Sequence, residues 1–389
     1  MSRRQFEKPA MRDPRLDFFR GIGMFIIFIA HVPSNAWTLY IPARFGFSDA
    51  TEVFVFCSGM ASAIAFGKVY SERGWLLGTS RILFRTWQVY WVHLALFLFL
   101  LTLMCFFDSL GVFEKSYVSQ LNLHKFLENP QQNLIGLMTL TYVPNYFDIL
   151  PMYIGILLMV PIIMALRKFG VLPPLVFMFV LWLSAQFSYF QLPAEPWSDR
   201  AWFFNPFGWQ LIFFTGFAFM AGWIKPPPVN KYLITLSAII LIITIPLAFH
   251  KIIKEVVFIQ ELRRDYDDLI FKTNLGVLRY IHFLALSYIC WVLAGPGGQW
   301  LQIKKGIASY VIAIIHKVGQ QALSTFIAGM VMAQVFGVFL DVTGRTALTY
   351  TIANFGGFIC LIITAYVVSW FKSQPWKIKH KQRLKMLPE

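Results

Sequence analysis

Long apolar blocks fill most of the chain, separated by short polar segments that carry most of its charge. A helix that crosses a bilayer needs about 20 predominantly apolar residues. Ten stretches come near that requirement: 16–33, 50–67, 84–106, 148–166, 172–190, 205–223, 232–249, 275–294, 319–340 and 347–371. The pattern predicts an all-α, polytopic integral membrane protein with about ten transmembrane helices. Pro144 and Pro151 interrupt the stretch 134–166, so 134–142 reads as a short re-entrant or interfacial piece. The segment 306–318 (GIASYVIAIIHKV) reads either as an amphipathic surface helix or as an extension of the ninth span. No internal repeat stands out. The organisation expected is a cytoplasmic segment 1–15, one transmembrane domain 16–371 and a basic cytoplasmic tail 372–389.

Composition agrees. Of 389 residues, 57% are hydrophobic and 14% charged, against about 25% charged in soluble domains. The net charge of +15 is not a nucleic-acid signature, because the basic residues are scattered between apolar runs. Their asymmetry orients the chain instead. With the N-terminus inside, cytoplasmic segments hold Arg3, Arg4, Lys8, Arg12, Arg15, Lys68, Arg73, Arg81, Arg85, Arg167, Lys168, Lys225, Lys231, Lys304, Lys305 and the basic tail. Acidic residues such as Asp108, Glu128, Asp148, Glu195, Asp199, Glu255 and Asp265 fall outside. An even number of helices, N-in and C-in, is self-consistent. Inner loops are short, so chemistry must use the bundle and the longer outer loops at 107–147 and 250–274. The four cysteines lie in apolar runs with no disulfide or metal spacing. The first residues are too polar for a signal peptide.

Charged groups inside a span cost about 2.5–3.5 kcal/mol on insertion scales, so each is a functional candidate. On the first span Asp17, Arg20 and His31 fall on one stripe, with Asp17 and His31 about 21 Å apart along the axis. Asp17 and Arg20 also suit an i,i+3 ion pair, and His31 also suits a wetted interface. Glu52, with Asp49, opens the second span, where a carboxylate would orient an imidazole and raise its basicity. It also suits the water interface. Arg81 and Arg85 share a face of the third span with Gln88. Arginine forks match phosphate oxygens, and positive-inside anchoring explains them equally well. Further polar and aromatic groups collect at helix starts: Tyr153, Asn205, Trp209, Gln210, Lys272, Arg279 and His282. Arg279 is expected to pair with a carboxylate or an anionic ligand. Trp209 also suits an interfacial belt.

The stretches RLDFFRGIGMFIIFIAHVP, DATEVFVFCSGMASAIAFG and RILFRTWQVYWVHL resemble the OpgC-type family of the acyltransferase type 3 superfamily. ILPMYIGILLMVP, FNPFGWQLIFFTG, KTNLGVLRYIHFLAL and GQQALSTFIAGMV follow in order, so the resemblance covers essentially the whole chain. It implies a ten-helix enzyme of the bacterial inner membrane that succinylates osmoregulated periplasmic glucans. The donor implied is a cytoplasmic acyl-CoA, succinyl-CoA by this analogy, and no metal is expected. By the same resemblance His31 matches the essential histidine, and Arg81 and Arg85 match the arginine pair near the CoA phosphates. The spacing here is R-x-x-x-R, where the superfamily often has R-x-x-R, and GQQAL stands where G-R-Q-S-L is more usual.

Together these readings predict a mechanism. CoA binds at an inner end that holds Arg81, Arg85, Asp17 and Arg20. His31, oriented by Glu52, takes the proton of a glucan hydroxyl as it attacks the thioester. Arg279 or His282 stabilises the oxyanion, Lys272 or Arg279 binds a succinyl carboxylate, and Trp209 or Tyr153 stacks on a sugar. Asn205 and Gln210 complete the acceptor side. The partners expected are membrane lipids and a carbohydrate acceptor, with no nucleic acid; a homo-oligomer is left open. Two alternatives stand beside this reading: a transporter or flippase of a glycan, and an O-acetyltransferase acting on another surface polysaccharide.

Overall fold

The computed structural model describes residues 13–303 and 305–377. The basic residues expected inside at Arg3, Arg4, Lys8, Arg12 and Lys304, and those of the tail beyond residue 377, lie outside the described residues. The described chain is helical, with a lone antiparallel bridge between Pro193 and Ala201. Helices stand on all ten predicted segments. They are α1 Pro14–His31, α2 Ala50–Ser62, α3 Lys68–Ser109, α4 Ile149–Leu166, α5 Leu172–Gln186, α6 Pro206–Met220, α7 Lys231–Ala248, α8 Val277–Leu293, α9 Ile307–Gln320, α10 Ala322–Thr343 and α11 Ala347–Ser373. A ten-residue helix, Pro130–Thr139, covers the interrupted stretch.

Among the described residues, five helices are long and apolar enough to cross a membrane: the run Ala50–Ser109, Ile149–Phe169, Lys231–Ala248, Ala322–Thr343 and Ala347–Ser373. The first is continuous through a π turn at Ala63–Gly67 and is broken at Gly74. Gly74 has φ +82°, a conformation that disfavours any side chain, and the break separates the predicted second and third spans. Helices α5, α6, α8 and α9 are apolar but shorter. Helix α1 has 18 residues but carries Arg15, Asp17 and Arg20.

The chain divides into two compact units, residues 1–41 with 289–389, and residues 42–288. In the first, α1 packs on α9. The segment around 306–318 does not lengthen the next span, because the chain bends at Gln321 (φ −108°, ψ 29°) before α10 begins. Glycines set the approach of the two helices. A β-carbon on Gly21 would collide with the Ile315 carbonyl, and one on Gly319 with the Asp17 carbonyl. Small residues let helix backbones meet this closely. The core joins Phe28 and Val32 of α1 to Ala333 and Leu340 of α10 and Ala353 and Leu361 of α11. Two buried amides tie its end together: Asn35 Nδ2 donates to Asn354 Oδ1 (2.8 Å), and Asn354 Nδ2 to Asn35 Oδ1 (3.1 Å).

In the second unit α6 is buried on nearly every side, as a helix apolar all round should be. It meets α2 through reciprocal glycines: Gly59 lies under the Phe213 carbonyl and Gly216 under the Phe56 carbonyl. Trp75, just past the Gly74 break, donates its Nε1–H to the Pro161 carbonyl of α4 (2.9 Å). Pro161 itself lacks an N–H for its own turn, and the helix continues to Leu166.

Candidate functional site

Two polar places stand out, one in each unit. In the second unit the N-terminus of α2 carries a capping box. Asp49 Oδ1 accepts from Thr51 N (2.7 Å), and Glu52 Oε2 accepts from Asp49 N (2.8 Å). This D-x-x-E pattern is a helix-start signature. Both carboxylates then receive cations from the segment leading into α8. Lys272 Nζ donates to Asp49 Oδ2 at 2.5 Å and Arg279 Nη2 to the same oxygen at 3.3 Å, while Arg279 Nε donates to Glu52 Oε1. Glu52 is wholly buried, and Arg279 is 9% exposed. Burial alone would raise the Asp49 carboxyl, but Lys272 and Arg279 outweigh it and hold it below the usual carboxylate range. Lys272 also lies over the Phe204 ring, 5.5 Å from its centroid.

One turn past Arg279, His282 is pinned by the residue before the cap. Its Nδ1 accepts from Ser48 N (3.3 Å) and lies 2.7 Å from Ser48 Oγ. A backbone N–H can only donate, so the neutral ring carries its proton on Nε2. A β-carbon on Gly46 would collide with the imidazole, so only glycine fits there. Ser48 is fully buried and His282 4% exposed; the pair fastens the segment before α2 to α8.

Asn205, Trp209 and Gln210 are buried as well. Asn205 caps α6 through Phe207 N (3.0 Å), and its Nδ2 donates to Asn274 Oδ1 (3.0 Å). Trp209 Nε1 donates to the Lys272 carbonyl (3.0 Å), and Gln210 Nε2 to the Met178 carbonyl (2.7 Å). Asn205 and Trp209 therefore brace the turn that presents Lys272, and Gln210 ties α6 to α5. Trp209 has no exposed ring face for a sugar, which corrects the stacking expected of it: α6 is the central helix of its unit and not a rim. Tyr153 is half-buried, with its ring 6.1 Å from that of Phe213. Arg81 is exposed, its guanidinium 5.9 Å from the Phe66 ring centroid; Arg85 is half-buried and donates to Gln88 Oε1 at 3.3 Å, the face expected of it.

In the first unit, His31 ends α1 half-buried, with Nδ1 2.7 Å from the Ile27 carbonyl. A carbonyl only accepts, so Nδ1 carries the proton and the neutral ring keeps its basic lone pair on Nε2. Its own helix thus sets the tautomer of the ring. Asp17 is buried beneath Gly319 of α9, and Arg20 is half-buried one turn on. His316 of α9 adds a ring edge-on to Phe18 (5.9 Å). The sequence reading missed it because 306–318 was not paired with α1. Asp49 was legible only as a charge at the start of the second span and Ser48 was not singled out, because their partners lie more than 200 residues away. Among the described residues no group of histidine, cysteine and carboxylate side chains is arranged to hold a metal.

Five membrane-length apolar helices in an all-helical described chain define a helical membrane protein. The family model for the OpgC protein matches residues 12–373, and the chain belongs to that family. Neither curated proteins nor solved structures gave a match.

Proposed function

We propose that this protein is a ten-span, N-in and C-in membrane O-acyltransferase that moves an acyl group, succinyl by family analogy, from cytoplasmic acyl-CoA to hydroxyls of a periplasmic glucan. The observation that carries the proposal is the near full-length match to the OpgC family, which points to an acyltransferase-like role in glucan modification. His31 is the general base. With Nδ1–H given to Ile27, Nε2 takes the proton of the acceptor hydroxyl while the hydroxyl oxygen attacks the thioester carbonyl. The C–S bond then breaks and CoA leaves as the thiol. Arg81 and Arg85 bind the phosphates of the donor, and Asp17 and Arg20 contribute to donor binding. Glu52 and Asp49 hold Arg279 and Lys272 in place, and these cations, with His282, shape the acceptor side. Arg279 and Lys272 already neutralise two carboxylates, so a succinyl carboxylate must share or displace Asp49.

The test uses purified protein in nanodiscs, succinyl-CoA and a β-linked glucan. Wild type is expected to release CoA and form succinyl ester on the glucan, and His31→Ala to form none. CoA release without a glucan ester would point to another acceptor. Glycan transport across proteoliposomes with no acyl-CoA consumption would favour the transporter reading.

A further inference from the structure

The loops of the second unit carry a second built surface, far in sequence from α2 and α8. The hairpin 193–201 is closed by the Pro193–Ala201 bridge and by Ala194 N donating to Arg200 O (2.7 Å). It is stapled to the strand-like segment before α4, where Val143 N donates to Ala194 O at 2.7 Å. Arg200 is the clamp. Its Nε donates to Glu195 Oε2 (2.9 Å), Nη1 to Asn145 Oδ1 (3.2 Å) and Nη2 to the Val143 carbonyl (2.9 Å). The backbone turns sharply beside Asn145, where Tyr146 takes φ +89°, a strained value for a side-chain-bearing residue that tends to mark function. At the tip stands Trp197, 42% exposed, its ring 5.6 Å from that of the buried Tyr142.

We propose that this ledge is a carbohydrate-binding subsite, with Trp197 as the stacking platform and Asn145, Glu195 and Arg200 as the polar rim. A pyranose has one face of C–H groups and an equator of hydroxyls. An indole braced from behind meets the first, and a fixed amide, carboxylate and guanidinium meet the second. A lipid-facing indole would be ringed by aliphatic side chains; this one is flanked by Pro196, Ser198 and Asp199. Glu195 and Asp199 against Arg200 leave the tip with one net negative charge, which suits a neutral sugar and disfavours polyanions. The subsite deepens the proposed function, on which it rests, by giving the acceptor glucan a docking point in the loops. Loops held by a rigid scaffold are where binding residues gather.

The experiment measures acyl transfer by nanodisc-embedded protein against rising concentrations of a linear β-linked glucose oligosaccharide, with direct calorimetric binding of the same oligosaccharide alongside. Trp197→Ala is expected to raise the acceptor KM and the oligosaccharide Kd about tenfold, the loss typical of truncating an aromatic anchor, with the shift absent from the acyl-CoA KM. Trp197→Phe, which keeps a ring face, is expected to recover most of the affinity. Unchanged acceptor KM and Kd in Trp197→Ala would overturn the ledge and leave the transferase reading standing. Wild-type binding that Trp197→Ala loses, in a protein that transfers no acyl group, would keep the ledge and remove the transferase reading. No oligosaccharide binding by the wild type would overturn the ledge.

Discussion

The imidazole of His31 and the ion cluster of Asp49, Glu52, Lys272 and Arg279 are both polar groups in apolar surroundings, yet they are held in opposite ways. Every charge in the cluster is matched: two carboxylates meet two cations, and the carboxylates also cap their own helix. The histidine makes a contact of another kind: Nδ1 lies 2.7 Å from the Ile27 carbonyl of its own helix, which sets the tautomer and puts the basic lone pair on Nε2. A saturated cluster stabilises and positions; under the proposed function the imidazole, with its lone pair on Nε2, exchanges a proton. The contrast separates residues whose loss removes activity from residues whose loss removes the fold.

His31 gives the largest effect. His31→Ala is expected to lower acyl transfer by about 10²–10⁴-fold, the usual contribution of a general base, with an unchanged melting temperature in detergent. A coincident loss of thermal stability would move His31 into the structural class. Arg279→Met should behave conversely. Leaving buried Glu52 without its partner costs about 3–5 kcal/mol, seen as a lower melting temperature and loss of folded protein. Exposed Lys125–Glu128 is the control, since surface pairs contribute about 0–1 kcal/mol.

Asp148 sharpens the contrast because it is a buried carboxyl without such a match. Burial pushes it up to about 7, although Arg200 pulls the other way. With the folded value above the unfolded one, the folded state holds the proton longer. Its contribution to stability is therefore greatest at low pH and falls as pH rises from about 4 through about 7, by roughly 2–4 kcal/mol in total. Asp148→Asn should flatten that slope in thermal melts across the same range; an unchanged slope assigns the dependence to other groups. Among the buried groups the smallest effect is expected at the amide pair of the first unit. Asn354→Ala leaves Asn35 buried and part-bonded, at a cost of about 1–3 kcal/mol, read from the same melts.

Hydrophobic length placed all ten helical segments, because a 3.6-residue repeat filled with apolar side chains has few other solutions in lipid. It did not resolve where helices end. A π turn at Ala63–Gly67 carries the second segment on towards the third until Gly74 breaks the run, and the bend at Gln321 separates α9 from α10. Site residues were legible one helix at a time. Spacing put Arg85 beside Gln88 and marked Arg279 as needing an anion. No local rule shows that α8 brings Arg279 back to α2, or that Ile27 serves the imidazole. Trp209 looked interfacial from its helix-start position, whereas its burial comes from the neighbours that surround α6.

The central claim is that His31 supplies the base for acyl transfer to a glucan. The direct measurement is succinyl-ester formation on a β-linked glucan by wild-type and His31→Ala protein, both folded in nanodiscs and saturated with succinyl-CoA. Ester from the wild type and none above background from the variant is the predicted result. Equal ester yields from the two proteins would contradict it.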